Sequence, residues 1–357
     1  MKRVSYTYCI IDNMSSNVDI ECVMIILNWN CVDDTILCVD SIFARSGLLV
    51  DIVIIDNNST DNSTSKLLDY INTSHYKTHI SLICNEKNKG YTGGINLGFH
   101  HAVNYKYKYV GVINPDATIG DGYVEELLRV VSLDNDTVVA TGVAVDKSSI
   151  VESMGLSYPC WGTPAPLHSG TPAFSYSDEI IYPFGFSGSN FILETRVLDL
   201  VGYFDDAFFM YYEDIDLSFR IQLAGFKIVC SPRAFVVHEK GKSSSKVSGL
   251  TTYNTFKNLP MLFWKNVPLG LMPKILPRFF VAYHLILGNA IMRGKAIPAL
   301  KGWLMSIFLF PRSLVLRWKI QSSKKVSTNY ISSIILHDIP PDQTGLRKFR
   351  KFFTGKA

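Results

Sequence analysis

The chain has 357 residues, of which 47% are hydrophobic and 12% are aromatic. This composition supports a substantial core and excludes a disordered polypeptide. The net charge is only +4, but residues 1–239 carry 15 Lys and Arg against 29 Asp and Glu, whereas residues 240–357 carry 20 against 2. The asymmetry predicts two parts with different roles, the second of which faces an anionic partner.

The predicted elements alternate between strand and helix in the first part of the chain. Continuous apolar runs predict four strands that are buried on both faces, over 22–29, 50–56, 80–86 and 107–114. Segments with helical spacing lie between them. This order predicts an α/β protein with a parallel sheet covered by helices. Ligands of such sheets bind at the carboxyl ends of the strands.

Two polar turns fall at such strand ends. In "DNNSTD", Asp56 can accept a hydrogen bond from a pyrimidine ring. In "NPDA", Asn114 and Asp116 are two residues apart and can face one ligand. A carboxylate beside a diphosphate is what Mg²⁺ or Mn²⁺ requires. Each turn also has a plainer explanation, which is helix capping for the first and a type I turn around Pro115 for the second.

The segment "NKGYTGGINLGF", residues 88–99, is rich in glycine but matches neither the dinucleotide fingerprint nor a phosphate loop. Gly93 and Gly94 allow a ligand to approach the backbone closely at a helix N-terminus, which favours anions. Close packing of the helix on the sheet is an equally good explanation.

Three acids follow the apolar run "FFMYY": Glu213, Asp214 and Asp216. Acids beside apolar surface are costly unless they have a use. A plainer interpretation is that they complement the dipole of a helix, with Asp216 and Arg220 paired on its surface. His238, after the run "AFVV", is by itself better explained as a structural histidine than as a ligand.

Considered together and in order, six stretches resemble the family 2 glycosyltransferases of the GT-A fold, in particular the rhamnosyltransferase-like branch. They are "IILNWN", "VIIDNNSTDNS", "NKGYTGGINLG", "VINPDATI", "GFSGSNFILETRVLDLVGYFDDAFFMYYEDIDLSFRIQLAGFKI" and "VVHEKGKSS". The resemblance implies a Rossmann-like, mixed and mostly parallel sheet flanked by helices. It also implies an inverting transfer of a sugar from a nucleotide-diphosphate donor. We expect an N-terminal extension over 1–19, a catalytic domain over 20–245 and a basic helical region over 246–357.

The resemblance also implies roles for residues at matching positions. Asp214 matches the catalytic base, which Glu213 assists, and its position at a helix N-terminus keeps it ionised. Asp116 and His238 match the metal ligands for Mg²⁺ or Mn²⁺. The donor-binding positions are Asn28, Asp56, Asn58, Asn88, Gly90, Asn96, Asn114 and Asp116, and the acceptor-side loop contains Gly188, Ser189 and Asn190. The sequence departs from the family pattern where Asn114 replaces the first Asp of a DxD element and where Tyr91-Thr92 replace Phe-Ala.

The basic C-terminal region contains apolar runs over 279–292 and 302–310. Both fall short of the roughly 20 residues that span a bilayer. With Lys and Arg at their ends and Trp303 and Trp318 nearby, they predict helices that lie on an anionic membrane surface, over about 246–325. A helical subdomain packed on the catalytic domain is the alternative. No nucleic-acid-binding module is recognisable. The processive synthases of the family carry a QxxRW element. Here Leu314 stands at the position of its Gln, which favours a single-addition enzyme over a processive synthase.

The predicted activity is transfer of L-rhamnose from dTDP-L-rhamnose to a glycan or polyprenyl-diphosphate-linked acceptor. The alternatives are another donor, such as a UDP-hexose or UDP-galactofuranose, a nucleotidyltransferase, and a non-catalytic membrane-bound module that binds nucleotide sugars. Scattered cysteines without a CxxC pair and an N-terminus without a signal-peptide pattern predict a reducing compartment. We therefore expect a cytoplasmic enzyme, peripheral on the inner face of the cell membrane.

Overall fold

The computed structural model describes residues 8–11, 20–173, 176–238 and 247–338, and only the backbone of the first of these ranges. The strands are β1 Tyr8–Ile11, β2 Cys22–Asn28, β3 Asp51–Asp56, β4 Ile80–Asn85, β5 Tyr109–Ile113, β6 Ala117–Ile119, β7 Thr137–Val145, β8 Val151–Ser153, β9 Leu156–Ser157, β10 Ala165–Pro166, β11 Asn190–Glu194 and β12 Lys227–His238. The helices are α1 Val32–Arg45, α2 Ser63–Thr73, α3 Gly90–Asn104, α4 Tyr123–Val131, α5 Arg196–Val201, α6 Glu213–Leu223, α7 Leu250–Asn266, α8 Met272–Met292, α9 Ala296–Ser322 and α10 Thr328–Ile334.

One large mixed sheet has the order β1-β4-β3-β2-β5-β11-β7-β12-β6. The four predicted strands β2, β3, β4 and β5 pair in parallel, which confirms the α/β expectation. Their residues are almost all buried, because helices cover both faces of this part of the sheet. The neighbours of β2 are β3 on one side and β5 on the other. The chain therefore reverses its direction of winding at β2, which is where such sheets bind ligands.

The second part of the sheet contains antiparallel pairings that the sequence patterns did not predict. Strand β11 lies between β5 and β7 and is antiparallel to both. This insertion brings the loop before β11 beside the end of β5, where the backbone amide of Asn114 donates to the Ser189 carbonyl at 2.9 Å. Part of the predicted N-terminal extension also joins the sheet, since β1 pairs with β4.

The helices of the basic region share a core with the rest of the chain. Phe208, Ile215 and Phe219 of the first part lie in one hydrophobic cluster with Phe263 and Phe279 of α7 and α8. Residues 239–246, which include most of "VVHEKGKSS" and the predicted domain boundary, lie outside the described residues. Helix α7 is therefore integrated with the part of the chain that precedes it.

The helices α8 and α9 are longer than the uncharged runs suggested. Among the described residues, 269–292 and 296–322 form two helical segments that are long and apolar enough to cross a membrane by length and composition alone. The uncharged runs over 279–292 and 302–310 are therefore shorter than the helices that contain them, because α8 continues through Arg278 and α9 continues through Lys301 and Arg312. Both carry large exposed apolar side chains: Phe280, Met292, Ile297, Phe308, Val315 and Trp318.

Candidate active site

The carboxyl ends of β2 and β3 meet in a buried polar cluster. Asn28 donates to the Asp56 carboxylate at 2.7 Å, and Thr35 donates to the Asn28 side chain at 2.9 Å. Asp56 also accepts from the Ser59 amide at 3.1 Å and the Ser59 hydroxyl at 2.6 Å. Asn58 is exposed and adopts a left-handed conformation with φ 61°. Asp56 therefore shapes its own turn, as the plainer interpretation predicted, at the sheet edge where a base would bind.

Asn57 connects this turn to the glycine-rich segment, and sequence reasoning missed it. Its side-chain oxygen accepts from Asn85 at 3.0 Å and from the Lys89 amide at 3.1 Å, while its nitrogen donates to Asn88 and to the Gly90 carbonyl. Asn88 also accepts from the Gly90 amide at 2.8 Å. Asn57 thus uses all of its hydrogen-bonding capacity to fix the start of α3. The only sequence signal was its place next to Asp56.

The glycines of α3 serve close packing. A Cβ at Gly94 would lie 2.3 Å from Leu27, and one at Gly98 would lie 2.5 Å from Ile25. Gly90 has φ +69°, and a Cβ there would lie 2.3 Å from the carbonyl oxygen of Phe209. That same oxygen accepts from the Thr92 amide at 3.1 Å. The segment before Glu213 therefore caps the first turn of α3.

The segment between Phe208 and Glu213 has an unusual backbone. Phe209, Tyr211 and Tyr212 have φ values of 63°, 70° and 72°, although none of them is glycine. Each such residue costs about 1–3 kcal/mol and persists only where surrounding contacts determine it. Tyr212 directly precedes α6, whose first residues are Glu213 and Asp214. Backbone strain of this kind occurs preferentially at functional sites.

Asp214 is half-buried and is held by backbone amides. Its Oδ2 accepts from the Gly188 amide at 3.0 Å, and its Oδ1 accepts from the Ile215 amide at 2.8 Å. Burial raises the pKa of Asp214 above its usual value, although these amides oppose the rise. The dipole expectation for Asp214 left out this desolvation, which acts against the ionised form, whereas the amides at the start of α6 favour it.

Glu213 is buried next to Asp214. Its Oε2 atom has no hydrogen-bond partner among the described residues. Burial raises the pKa of Glu213 well above the usual value, and the neighbouring Asp214 carboxylate adds to the rise. Two carboxyl groups in such proximity cannot both ionise easily, so one holds a proton at a higher pH than an exposed acid does.

The predicted acceptor-side loop lies directly against Asp214. The Tyr91 hydroxyl donates to the Gly188 carbonyl, which joins the start of α3 to this loop. The hydroxyls of Ser187 and Ser189 are 2.9 Å apart. Asn190 is fully buried and accepts from the Gly142 amide at 2.9 Å. Gly188 and Ser189 thus lie in the loop that contacts Asp214, whereas the Asn190 side chain joins β11 to β7.

The end of β5 meets the end of β12. His238 Nε2 lies 3.1 Å from Asp116 Oδ1, and Asn114 Nδ2 lies 3.3 Å from the same ring nitrogen. His238 Nδ1 contacts Glu152 at 2.8 Å. Burial alone would lower the pKa of His238, but the two carboxylates more than offset this and raise it. Glu152, in the short strand β8, was not identified from the sequence.

These residues can be tested for their fit to a divalent cation. Among the described residues, no group of three or more His, Cys, Asp and Glu side chains forms a metal-binding cluster. The Asp116 carboxylate and the His238 imidazole nevertheless fit a cation that takes its other ligands from a diphosphate. The contact of Glu152 with Nδ1 leaves Nε2 as the ligand atom and is the usual support for a metal-binding histidine. The donor set therefore fits a substrate-bridging cation.

The side chains of Asn96 and Asp216 make their contacts away from the ends of β2, β3, β5 and β12. Asn96 donates to the Phe204 carbonyl at 2.9 Å and to Asp206 at 2.7 Å, and it accepts from the Phe204 amide. Asp216 does pair with Arg220, at 3.1 Å, but the prediction that this pair lies on the helix surface is wrong. Asp216 is fully buried and also contacts Lys265 and Asn266 of α7. The reason is that α7 covers this face of α6.

Two family models match this chain. The model described as "Glycosyl transferase family 2" matches residues 23–188, and the model described as "Glycosyl transferase family group 2" matches residues 169–297. Together they span residues 23–297, from β2 through α6 to the start of α9. The chain is a family 2 glycosyltransferase, and the family predicted from the motifs is confirmed.

Curated relatives indicate which branch of the family the chain resembles. The chain is 24% identical over 268 residues to the low-salt glycan biosynthesis hexosyltransferase Agl10 of Haloferax volcanii, covering 70% of this chain and 79% of the relative. It is 27% identical over 230 residues to the N-acetylglucosaminyl-diphospho-decaprenol L-rhamnosyltransferase of Mycobacterium tuberculosis, covering 55% of this chain and 69% of the relative. These similarities support the rhamnosyltransferase-like branch.

Solved structures show the same fold. GalNAc-T7 with UDP, GalNAc and Mn²⁺ matches with a TM-score of 0.59 at 16% identity, over 86% of this chain and 58% of that chain. The Staphylococcus aureus protein TarS 1-349 with UDP-GlcNAc matches with a TM-score of 0.53 at 15% identity, over 85% and 84%. The mannosyltransferase PcManGT of Pyrobaculum calidifontis with GDP-Man and Mn²⁺ gives 0.52 at 14% identity, over 90% and 87%.

Proposed function

We propose that the protein transfers L-rhamnose from dTDP-L-rhamnose to a hydroxyl of a glycan or polyprenyl-diphosphate-linked acceptor, with inversion and with Asp214 as general base. The observation that carries this proposal is the half-buried Asp214 carboxylate between the strained 209–212 segment and the Gly188 loop. The rhamnosyltransferase among the relatives supports the choice of sugar and of a lipid-linked acceptor.

The proposed reaction forms one bond and breaks one. The acceptor oxygen attacks the anomeric carbon from the face opposite the diphosphate, and the bond from that carbon to the diphosphate oxygen breaks. The acceptor proton passes to a carboxylate oxygen of Asp214. The raised pKa of Asp214 makes it a stronger base than an exposed aspartate. The loop containing Gly188 and Ser189 faces the acceptor, and Glu213 sets the charge state of the pair.

The donor is proposed to bind across the ends of β2, β3 and β5. Asp56 and Asn58 would contact the pyrimidine side, whereas Asn88 and Gly90 would lie near the diphosphate at the start of α3, where the helix dipole favours anions. Asp116 and His238 would hold Mg²⁺ or Mn²⁺, which neutralises charge on the departing diphosphate when it is bound. Asn96 would act by fixing Phe204 and Asp206.

The protein is proposed to act at the cytoplasmic face of an anionic membrane. Phe308 and Trp318 of α9 are 69% and 77% exposed, and α8 exposes Phe280 and Met292. Single exposed apolar residues are ordinary, but a long apolar helix face without acids is typical of a membrane or protein interface. The basic residues of this region favour anionic lipid over a neutral partner.

Donor choice is tested by measuring turnover of dTDP-L-rhamnose, UDP-hexoses and UDP-galactofuranose with a polyprenyl-diphosphate-linked disaccharide, with and without Mn²⁺. We expect metal-dependent rhamnosyl transfer. A UDP-sugar that is transferred while dTDP-L-rhamnose is not would replace the proposed donor. Donor binding without transfer of any sugar would support the non-catalytic module. Release of diphosphate from a sugar phosphate and a nucleoside triphosphate would support the nucleotidyltransferase.

A further inference from the structure

We propose that Lys257 and Asn258, on the first helix of the basic region, are positioning residues that hold the backbone of residues 207–211 and thereby aim the Glu213–Asp214 pair. This inference rests on the proposed role of Asp214. It assigns α7 a part in the transfer reaction, beyond any contact with a membrane.

The carbonyl groups of residues 207–211 carry this proposal. Lys257 Nζ donates to the Ala207 carbonyl at 2.9 Å and to the Phe208 carbonyl at 3.2 Å. Asn258 Nδ2 lies 3.0 Å from the carbonyl oxygens of Phe208 and Met210 and 2.8 Å from that of Tyr211. The remaining carbonyl, that of Phe209, accepts from the Thr92 amide. Each carbonyl from 207 to 211 is thus held from outside the segment.

Such contacts are needed because the segment cannot hold this conformation on its own. Phe209, Tyr211 and Tyr212 all have positive φ, so residues 209–212 do not continue a regular helix or strand, and their buried carbonyls need partners from other elements. Asn258 is fully buried and Lys257 is 6% exposed, so water does not replace their contacts. The two side chains therefore determine a backbone that the sequence of the segment disfavours.

Lys257 also brings a positive charge near the acids. It faces Asp205 and Glu213, and its nitrogen lies 5.6 Å from the centre of the Tyr253 ring. The other titratable groups facing Glu213 are Asp214 and Asp216 on α6 and Tyr91 on α3. Lys257 is the cation among them, and it favours the ionised form of Glu213. Burial lowers the pKa of Lys257 to about 8, so the amine is largely charged at neutral pH.

The test compares Lys257→Met, Lys257→Gln, Lys257→Arg and Asn258→Asp in the full chain, with steady-state kinetics over pH 5–9. Lys257→Met and Asn258→Asp should lower kcat about 10- to 100-fold, as expected for displaced reacting groups, with the donor KM changed less than twofold. In Lys257→Met and Lys257→Gln the acid limb of kcat/KM should move to higher pH, because the pair loses its cation. Lys257→Arg should restore the wild-type limb and most of kcat.

Phe256→Leu serves as the control for loss of stability, because Phe256 is 1% exposed on the same helix and its side chain packs in the core. It should lower Tm while kcat and the acid limb stay within threefold and 0.2 pH units of wild type. If Lys257→Met does not fold, the kinetics of Lys257→Gln and Asn258→Asp test the positioning role. The positioning role would be overturned if these variants kept the wild-type acid limb and the wild-type kcat, while Asp214→Asn was still less active than wild type. An inactive wild type would instead overturn the proposed function.

Discussion

The amide of Gly188 donates to Oδ2 of Asp214 over 3.0 Å. This bond joins the loop before β11 to the start of α6, two elements that are distant in sequence. A Cβ at Gly188 would lie 3.4 Å from the same oxygen, so the absence of a side chain leaves that face of the carboxylate open. Because the Tyr91 hydroxyl of α3 donates to the Gly188 carbonyl, the start of α3, the loop before β11 and the start of α6 are connected next to Asp214.

Gly90→Ala should be more damaging than Gly122→Ala. Both glycines have φ +69°, so each substitution costs about 1–2 kcal/mol for left-handed backbone. Only at Gly90 would the new methyl group collide with Phe209, whereas nothing lies within 4 Å of it at Gly122. Thermal unfolding should show a larger loss of Tm for Gly90→Ala than for Gly122→Ala. A transfer assay should show a loss of kcat for Gly90→Ala only. Equal effects in both variants would contradict the capping of α3 by the Phe209 carbonyl.

Lys257 should make the unfolding free energy depend on pH. Its folded pKa of about 8 lies below the roughly 10.4 of an unfolded lysine. The folded chain therefore binds fewer protons between these values, and its stability relative to Lys257→Met should rise from pH 8 to pH 10. Below pH 8 the cost of burying the charge is fully present. Urea unfolding of both proteins across this range measures the difference, and a constant or falling difference would contradict the burial of a charged amine.

Asp116→Asn should raise the Mn²⁺ concentration for half-maximal transfer at least tenfold. Glu152→Gln should raise it about 10- to 100-fold, because Glu152 orients His238 without touching the cation. Asp121→Asn is the matched control, since the Asp121 side chain lies in the turn between β6 and α4 and is 92% exposed. Metal titration after chelation measures all three. A response of Asp121→Asn equal to that of Asp116→Asn would indicate a general charge effect.

Phe308→Glu combined with Val315→Glu should lower partitioning onto phosphatidylglycerol vesicles by at least tenfold. The two residues are 69% and 70% exposed, and burying each apolar side chain in lipid contributes about 1.5–3 kcal/mol. Leu37→Glu changes an exposed leucine of α1, 59% exposed, and should leave partitioning unchanged. Vesicle co-sedimentation provides the measurement. Equal partitioning of the double variant and wild type would remove α9 from the membrane contact.

Much of the site could be predicted because its residues end buried strands or begin a helix. Asp56, Asp116 and Asp214 all stand directly after apolar runs, and the order of these motifs indicated the family. Asn57 and Glu152 gave no comparable signal, since their importance comes from the residues they contact. The roles of Lys257 and Asn258 depend on the packing of α7 against a segment almost 50 residues earlier, which no local pattern encodes.

The same dependence on tertiary packing explains where the sequence-based predictions and the structure differ. Asp216 and Arg220 have helical spacing, which predicts that they pair but not that α7 buries them. The dipole argument for Asp214 considered only its own helix and omitted burial, which raises the pKa of Asp214. Strand β11 is short and enters the sheet between two earlier strands, so its antiparallel pairing could not be read from periodicity.

The central claim is that Asp214 takes the acceptor proton. The most direct test measures transfer by Asp214→Asn, with donor affinity and Tm determined on the same preparation and Asp199→Asn, an exposed acid of α5, as control. Loss of a general base lowers the rate about 10²- to 10⁴-fold. We expect such a loss in kcat for Asp214→Asn, with donor affinity and Tm close to wild type, and full activity for Asp199→Asn. Turnover by Asp214→Asn within tenfold of wild type would contradict the account.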